Sequence, residues 1–111
     1  MSDRRNVDQA SFNIISHGLH AMAQEMGEMM VRSAYSTIIR EARDCSASFL
    51  DRNGKIIAQA QFCPIHMNSF GLVFEAFAKR YDLSKIKPGE GLITNDPYSG
   101  GQHLNDILIF T

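Results

Sequence analysis

Apolar residues recur at helical spacing along the first third of the chain. Between Val7 and Thr37, the large apolar side chains are separated by steps of four and three residues, at Ile15, Leu19, Met22, Met26 and Met29. This period matches one face of an α-helix, so we predict a long amphipathic helix over the segment. A methionine-rich face suits a ligand groove, but this spacing favours packing of the face against the rest of the protein.

Two strand-like segments flank a tight turn in the middle of the chain. Residues 45–50 and 55–60 lie on either side of the sequence Asp-Arg-Asn-Gly, which spans Asp51–Gly54. The Asn53-Gly54 pair favours the positive φ angles that tight hairpins require. We therefore predict a β-hairpin here.

A second helical pattern follows a loop that contains Pro64 and His66. Either Asn68 or Ser69 is a suitable N-terminal cap for this helix, which we expect to extend through Tyr81. Its aromatic residues share one face, at Phe70, Phe74, Phe77 and Tyr81. We expect this face to lie in the core.

The last part of the chain combines turn signals with two short strands. Pro88-Gly89 is typical of a turn, Leu92–Thr94 of a short strand, and Ile107–Thr111 of a buried strand. The predicted fold class is α+β: a long helix, a hairpin, a second helix and two further strands. The apolar end at Thr111 leads us to expect that residues 1–111 are the N-terminal portion of a larger domain.

Composition narrows the classes of partner. Eleven basic and twelve acidic residues nearly cancel, and neither sign forms a block, so the usual electrostatic footprint for nucleic acid or an anionic membrane is missing. No apolar segment predicts a signal peptide or a membrane span. Cys45 and Cys63 form no CxxC pair, which favours reduced thiols in a cytoplasmic protein. From the charge balance, we expect the partner to be a small molecule or another protein.

The segment from Asn95 to Asp106, with the sequence NDPYSGGQHLND, concentrates the residues capable of metal chemistry. His103 and Asp106 are three residues apart, and Asp96 precedes His103 by seven. One imidazole and two carboxylates suit manganese, iron or catalytic zinc better than a closed thiolate site. From these residues alone, a surface hydrogen-bond pair is an equal alternative for His103 and Asp106, and a turn role is the preferred one for Asp96.

Other reactive groups point less clearly to a site. Asp44, before the first hairpin strand, and His66, before the second helix, are more typical of structural positions when judged singly. Glycines near Glu90 and Gln102 lack the lysine of a phosphate-binding loop, so no cofactor-binding residue is assigned. No nucleophile with a histidine partner is evident, and the catalytic residues stay unassigned.

Three segments together resemble the opening of the hydantoinase B/oxoprolinase family. They are YS..I.EARDCSASFLDRNGKIIAQA, PIHMNSF and NDPYSGGQHLND. The resemblance covers nearly all of the chain, and the NDPY-x-GG-x-H-x-x-D pattern is its most specific part. The same family includes the metal-bearing subunits of acetone and acetophenone carboxylases.

The resemblance implies a set of site residues. According to the resemblance, His103 and Asp106 are ligands of a divalent ion (manganese, zinc or iron). Asp44 is a further ligand of the same ion. Asp96 and His66 become substrate-binding residues or residues that support the ligands. A further histidine ligand is expected beyond Thr111, so the 111-residue chain is expected to bind metal poorly and to be inactive alone.

The resemblance also implies a two-part enzyme. An ATP-binding hydantoinase A-type subunit activates the substrate, and the present chain belongs to the metal-bearing part that opens a hydantoin, oxoproline or lactam ring. A subunit of an ATP-dependent ketone carboxylase is the alternative within the enzyme class. A non-catalytic interaction module, in which the first helix is a docking surface, is the alternative outside it.

Overall fold

The computed structural model describes residues 7–63, 66–104 and 106–111. Within those ranges it contains three α-helices and four short strands, which confirms the α+β prediction. In chain order they are α1 Gln9–Ser33, α2 Thr37–Ala42, β1 Ser48–Leu50, β2 Ile56–Gln59, α3 Met67–Arg80, β3 Leu92–Thr94 and β4 Leu108–Phe110. Among the described residues, no helix combines the length and apolar content that crossing a membrane requires.

Contacts along the chain define two compact units. The first contains the described residues up to Phe49 together with Ile57–Phe62, and the second contains Leu50–Ile56 and the chain from Cys63 to Thr111. The division passes through the β1–β2 hairpin.

The first helix is shorter than its apolar pattern predicts. Asp8 caps it, with a carboxylate that accepts hydrogen bonds from the Ser11 amide at 2.9 Å and the Ser11 hydroxyl at 2.7 Å. It ends at Ser33 because Ala34 adopts an extended conformation, with φ −72° and ψ 137°. The predicted end at Thr37 is therefore wrong, and Thr37 instead begins α2.

The buried face of α1 is not the methionine-rich one. Its buried residues are Ala23, Gly27 and Val31, which recur every fourth position. A Cβ atom at Gly27 would overlap the Phe62 ring, so the glycine allows an aromatic ring to pack directly on the helix backbone. The methionine-rich face does not pack within these 111 residues: Ile15, Met22, Met26 and Met29 are each 45–63% exposed. Its predicted packing against the rest of the protein stays a prediction.

Arg43 joins the end of α2 to Asp44. It adopts a left-handed conformation with φ 54°, which is uncommon for a residue other than glycine. Its guanidinium group lies 2.7 Å from the Glu28 carboxylate and over the Phe62 ring, 5.4 Å from the ring centroid. These two contacts hold the side chain against α1 and stabilise the strained backbone.

The hairpin is confirmed, but its turn differs from the predicted one. Within this turn Gly54 has a positive φ angle, 78°, and Asn53 does not. The Gly54 amide donates to the Asp51 carbonyl, and the Asp51 amide donates to the Lys55 carbonyl. The Asp51 carboxylate also accepts the amides of Asn53 and Lys55, at 2.8 and 2.9 Å. These bonds stabilise a three-residue turn that ends in a left-handed glycine.

The second predicted helix, α3, is confirmed, but the predicted caps are wrong. It begins at Met67 and its N-cap position is His66, so Asn68 and Ser69 lie inside the first turn. Ser69 is buried, and its hydroxyl makes no hydrogen bond with a described residue. Pro64 of the predicted loop lies outside the described residues.

The core of the second unit forms where α3 meets β4. Val73, Phe77 and Leu108 are buried together. The Phe110 ring packs within 6.4 Å, centroid to centroid, of each of three α3 aromatic rings, Phe70, Phe74 and Phe77. The aromatic-face prediction is therefore confirmed for these three residues. It is wrong for Tyr81, which follows the helix and is 54% exposed.

The two last strands pair antiparallel and fix both ends of the glycine-rich loop. Leu92 lies opposite Phe110, and Thr94 lies opposite Leu108. β4 is buried on one face only, because Leu108 is buried while Ile109 is exposed. The prediction of a fully buried strand is wrong for this reason, although the strand itself is confirmed.

We expect an alanine at Gly54 to destabilise the chain more than an alanine at Gly89. Both glycines have positive φ angles, 78° and 87°, so the backbone strain is similar. A Cβ at Gly54 would meet the Phe74 ring, whereas one at Gly89 would meet no atom within 4 Å. Overpacking of this kind costs about 1–3 kcal/mol.

Urea unfolding of the variants Gly54→Ala and Gly89→Ala measures this difference. The Gly54→Ala variant should unfold at the lower urea concentration of the two. Equal midpoints for the two variants would contradict the packing of Phe74 on the hairpin turn.

Candidate metal centre

The glycine-rich loop begins with a turn that Asp96 organises. The Asp96 carboxylate accepts hydrogen bonds from the Tyr98 amide at 3.0 Å and the Ser99 hydroxyl at 2.5 Å, and it lies 3.9 Å from the Arg80 guanidinium. The Ser99 and Tyr98 hydrogen bonds lower the pKa of the Asp96 carboxyl. Asp96 therefore has the turn role that the residues alone favour, while its predicted role towards substrate stays a prediction.

Gly100 seats the loop on α3. Its φ angle is 103°, and a Cβ atom there would lie 2.6 Å from the Leu72 Cβ and 3.2 Å from the Val73 amide nitrogen. Only glycine fits this conformation and this closeness. The loop backbone consequently approaches the middle of α3 before it reaches His103.

Asp106 closes the loop on His103. One carboxylate oxygen, Oδ2, accepts the backbone amides of Gln102 at 3.0 Å and His103 at 2.9 Å. The other oxygen, Oδ1, lies 3.2 Å from the His103 Nδ1. This arrangement fixes the carboxylate and holds one of its oxygens beside the imidazole.

The loop keeps the Asp106 carboxyl ionised at neutral pH. Burial by itself raises its pKa, but the hydrogen bonds from the His103 and Gln102 amides and from the His103 ring outweigh that effect, so the pKa lies below its ordinary value. A deprotonated carboxylate is the form that binds a metal ion.

His66 lies beside this pair. It occupies the N-cap position of α3, and its ring makes an edge-to-face contact with the His103 ring at a centroid distance of 5.9 Å. His66, His103 and Asp106 each present one potential ligand atom, and these three atoms lie within 4.8 Å of one another. All three residues belong to the second unit.

The donor set fits a divalent transition metal. Two imidazole nitrogens and one carboxylate oxygen are ligands that zinc, iron and manganese accept, and a set of three leaves coordination positions for water or substrate. Side-chain exposures of 53% for His103 and 23% for Asp106 leave the cluster accessible. These features are typical of a catalytic metal site rather than a closed structural one.

Asp44, the third ligand predicted from the family resemblance, belongs to the first unit. It directly follows the left-handed Arg43, and its backbone amide donates to the Ile38 carbonyl at 3.3 Å. Its participation in the metal set stays a prediction. The structure gives His66, predicted only as a supporting residue, a place within the cluster. Sequence spacing did not reveal this, because 36 residues separate His66 from His103.

Comparison with known proteins decides the family. The family model described as hydantoinase B/oxoprolinase matches residues 8–111. The chain belongs to this family. The match includes His66, His103 and Asp106, together with the Asp44 and Asp96 positions.

Individual relatives show the same assignment. The chain is 36% identical to a 5-oxoprolinase of Saccharomyces cerevisiae over 106 residues, which cover 96% of this chain and 8% of the relative. It is 30% identical to 5-oxoprolinase 1 of Arabidopsis thaliana, with 95% and 8% covered. A putative B-type subunit of a D-/L-hydantoinase from Pseudomonas sp. strain NS671 is 28% identical, with 96% and 18% covered.

The chain therefore spans less than a tenth of the length of these 5-oxoprolinases and about a fifth of the hydantoinase relative. No solved structure shows significant similarity to it.

We expect Asp96→Ala to loosen the glycine-rich loop. Loss of a carboxylate cap costs about 0.5–2 kcal/mol, and here it frees the Tyr98 amide and the Ser99 hydroxyl. Amide hydrogen exchange should become faster at Tyr98.

Asp82→Ala is the matched control for this variant. Asp82 makes the same kind of turn, accepting the Ser84 amide and hydroxyl at 3.2 and 2.6 Å. It lies outside the glycine-rich loop, so exchange at Tyr98 should not change. Unaltered exchange at Tyr98 in Asp96→Ala would contradict the organising role of Asp96.

Proposed function

We propose that this chain belongs to the metal-bearing part of an ATP-dependent cyclic-amide hydrolase. The observation that carries the proposal is the cluster of His66, His103 and Asp106 in a member of the hydantoinase B/oxoprolinase family. The names of the relatives support amide ring opening, since they include 5-oxoprolinases and a putative hydantoinase component. No comparable observation favours ketone carboxylation.

His103 and Asp106 hold the divalent ion in this proposal. The amides of Gln102 and His103 fix Asp106 Oδ2, which leaves Oδ1 for the ion. His66 supplies a second imidazole from the start of α3, and Asp44 completes the set predicted from the resemblance. When bound, the ion supplies Lewis acidity towards an amide oxygen and activates water at neutral pH.

The remaining residues of the loop keep this set in place. Asp96 fixes the entrance of the loop through Tyr98 and Ser99, and Gly100 lets the backbone approach α3. The pre-organised loop lowers the entropy cost of gathering ligands around the ion. Asp96 and Gly100 thus support the loop without supplying a ligand, whereas Asp106 does both.

The activating step is assigned to a partner in this proposal. Opening a stable amide ring by an ATP-dependent route needs a nucleotide site, and the chain contains no phosphate-binding loop pattern. A hydantoinase A-type subunit that binds ATP supplies this site. The substrate is a small cyclic amide such as hydantoin, 5-oxoproline or a lactam.

We expect the double substitution His103→Ala with Asp106→Ala to abolish metal binding and to leave the helices intact. It removes both the nitrogen and the oxygen donors of the loop, while neither side chain lies in the core around Val73. Bound zinc or manganese in the complete protein, measured by mass spectrometry after gel filtration, should fall to background. The circular dichroism of the helices should be unchanged.

The matched control removes one histidine and one acidic residue elsewhere. His20→Ala with Glu25→Ala changes exposed residues of α1 and should keep the full metal content. Unchanged metal in the His103→Ala, Asp106→Ala variant would refute the site.

We also expect ring opening to require the metal, the ATP-binding partner and ATP together. The assay combines the chain, within its longer protein where it has one, with a hydantoinase A-type subunit and 5-oxoproline or hydantoin. Chelation of the ion should stop product formation, and the loaded metal should restore it. Carboxylation of acetone or acetophenone without ring opening would support the ketone carboxylase instead. A complete protein that binds no metal would support the interaction module.

A further inference from the structure

Ser69, in the first turn of α3, carries a hydroxyl group without a partner. The residue is 2% exposed, and its oxygen is buried without a hydrogen bond to any described residue. Buried polar groups in folded proteins are nearly always hydrogen-bonded, because an unpaired one lowers stability. The hydroxyl therefore indicates a contact that forms in another state of the protein.

Ser69 lies between the core and the candidate metal centre. Val73 and Phe77 follow it by four and eight residues, so the three side chains share one face of α3. His66 precedes it by three residues, at the N-cap position. This face of the helix thus passes from apolar core residues through Ser69 to the first histidine of the cluster.

The glycine-rich loop contacts α3 on both sides of Ser69. At Gly100, one turn further along the helix, a Cβ atom would lie 3.2 Å from the Val73 amide nitrogen. At the start of the helix, the His103 ring contacts the His66 ring at a centroid distance of 5.9 Å. The loop backbone between these contacts passes the level of Ser69, which accounts for its burial. The hydroxyl is therefore enclosed beside the cluster rather than open to bulk water.

Helix geometry directs the Ser69 side chain towards His66. Each Cα–Cβ bond of an α-helix tilts towards the N-terminus, so the Ser69 oxygen leans towards the turn that contains His66. Side chains three residues apart are neighbours, with Cβ atoms about 5–6 Å apart. Rotation of the His66 ring about its side-chain bonds is enough to bring a ring nitrogen within hydrogen-bonding distance of that oxygen.

Metal ligation fixes the proton of a histidine ring. When one ring nitrogen binds an ion, the other carries a proton and donates it to an acceptor that sets the orientation of the ring. A serine hydroxyl oxygen accepts such a hydrogen bond. The enclosed position of Ser69 keeps water from competing for the bond.

We propose that Ser69 is a positioning residue of the metal centre. Its hydroxyl oxygen accepts a hydrogen bond from the His66 ring nitrogen that does not bind the ion. The inference rests on the proposed function, since the bound ion is what turns the His66 ring towards Ser69. It goes beyond the ligand set, because Ser69 touches neither the ion nor the substrate. Ser69 and the cluster all belong to the second unit.

The substitution Ser69→Ala separates this role from a structural one. In the complete protein, the affinity for zinc, measured by competition with a chelating dye, should fall by about 10–100-fold. After the metal is stripped, the same variant should unfold at an unchanged or higher urea concentration, because it has lost a buried hydroxyl without a partner. A residue needed for folding would instead lower that concentration when substituted.

Ser48→Ala is the matched control. The Ser48 hydroxyl oxygen is also buried without a hydrogen bond to a described residue, but Ser48 belongs to β1 in the first unit. This variant should keep the zinc affinity of the unsubstituted protein. An equal loss of zinc affinity in the two variants would overturn the proposal.

The His66 ring reports the hydrogen bond directly. In the zinc-loaded complete protein with isotope-labelled histidine, the proton on the His66 ring nitrogen away from zinc should exchange slowly with water. In Ser69→Ala this exchange, followed by NMR, should become faster. The ring signals of His17 and His20 on α1 should stay in place.

The outcomes distinguish this inference from the proposed function. A complete protein that binds no zinc would contradict the metal centre, and the role of Ser69 with it. Zinc binding that Ser69→Ala does not weaken would overturn the inference alone. A lower urea midpoint of metal-stripped Ser69→Ala, or unchanged exchange of the His66 ring proton, would also overturn it and leave the metal centre standing.

Discussion

The packing of Phe110 against the aromatic face of α3 is the contact on which the second unit depends. Phe70, Phe74 and Phe77 surround its ring, and its own strand carries the buried Leu108. Antiparallel pairing then fixes β3 relative to β4. The two ends of the glycine-rich loop are consequently held by the same apolar core. This rigid base is what allows an exposed, irregular segment to keep a definite shape.

Between those fixed ends, the loop organises itself with local polar contacts. Asp96 holds the first turn and Asp106 holds the last, each by accepting backbone amides a few residues away. Because Gly100 has no side chain, the loop backbone can approach α3 closely. The Asp106 carboxylate both shapes the loop and presents an oxygen beside His103. The proposed metal ligands therefore belong to a loop that the fold already orders.

Sequence patterns predicted the elements better than their boundaries and packing. The hairpin, α3 and the last strands were predicted because turn residues and apolar periods are local signals. The end of α1 at Ser33 depends on the extended conformation at Ala34, which no strong breaker signals. The buried face of α1 was missed because its residues are small. A ring on Gly27 is a tertiary contact that a search for large apolar side chains does not detect.

In the candidate site, too, local sequence signals were predictive and tertiary contacts were not. His103 and Asp106 were predicted because they lie three residues apart in a recognisable segment. The family resemblance placed His66 at the site only as a substrate-binding or supporting residue. Its place within the cluster was not predicted, because it depends on how the start of α3 packs against a loop far along the chain. Asp44 stays a prediction from the family resemblance. Spacing in the sequence thus made His103 and Asp106 candidates, while the fold brings the His66 ring beside them.

Histidine side-chain NMR during a zinc titration tests the central claim most directly. The chain has four histidines: His17 and His20 on α1, and His66 and His103 at the proposed centre. Zinc should shift the ring nitrogen signals of His66 and His103 together and leave those of His17 and His20 in place. Equal shifts at all four histidines, or none at His66 and His103, would contradict it.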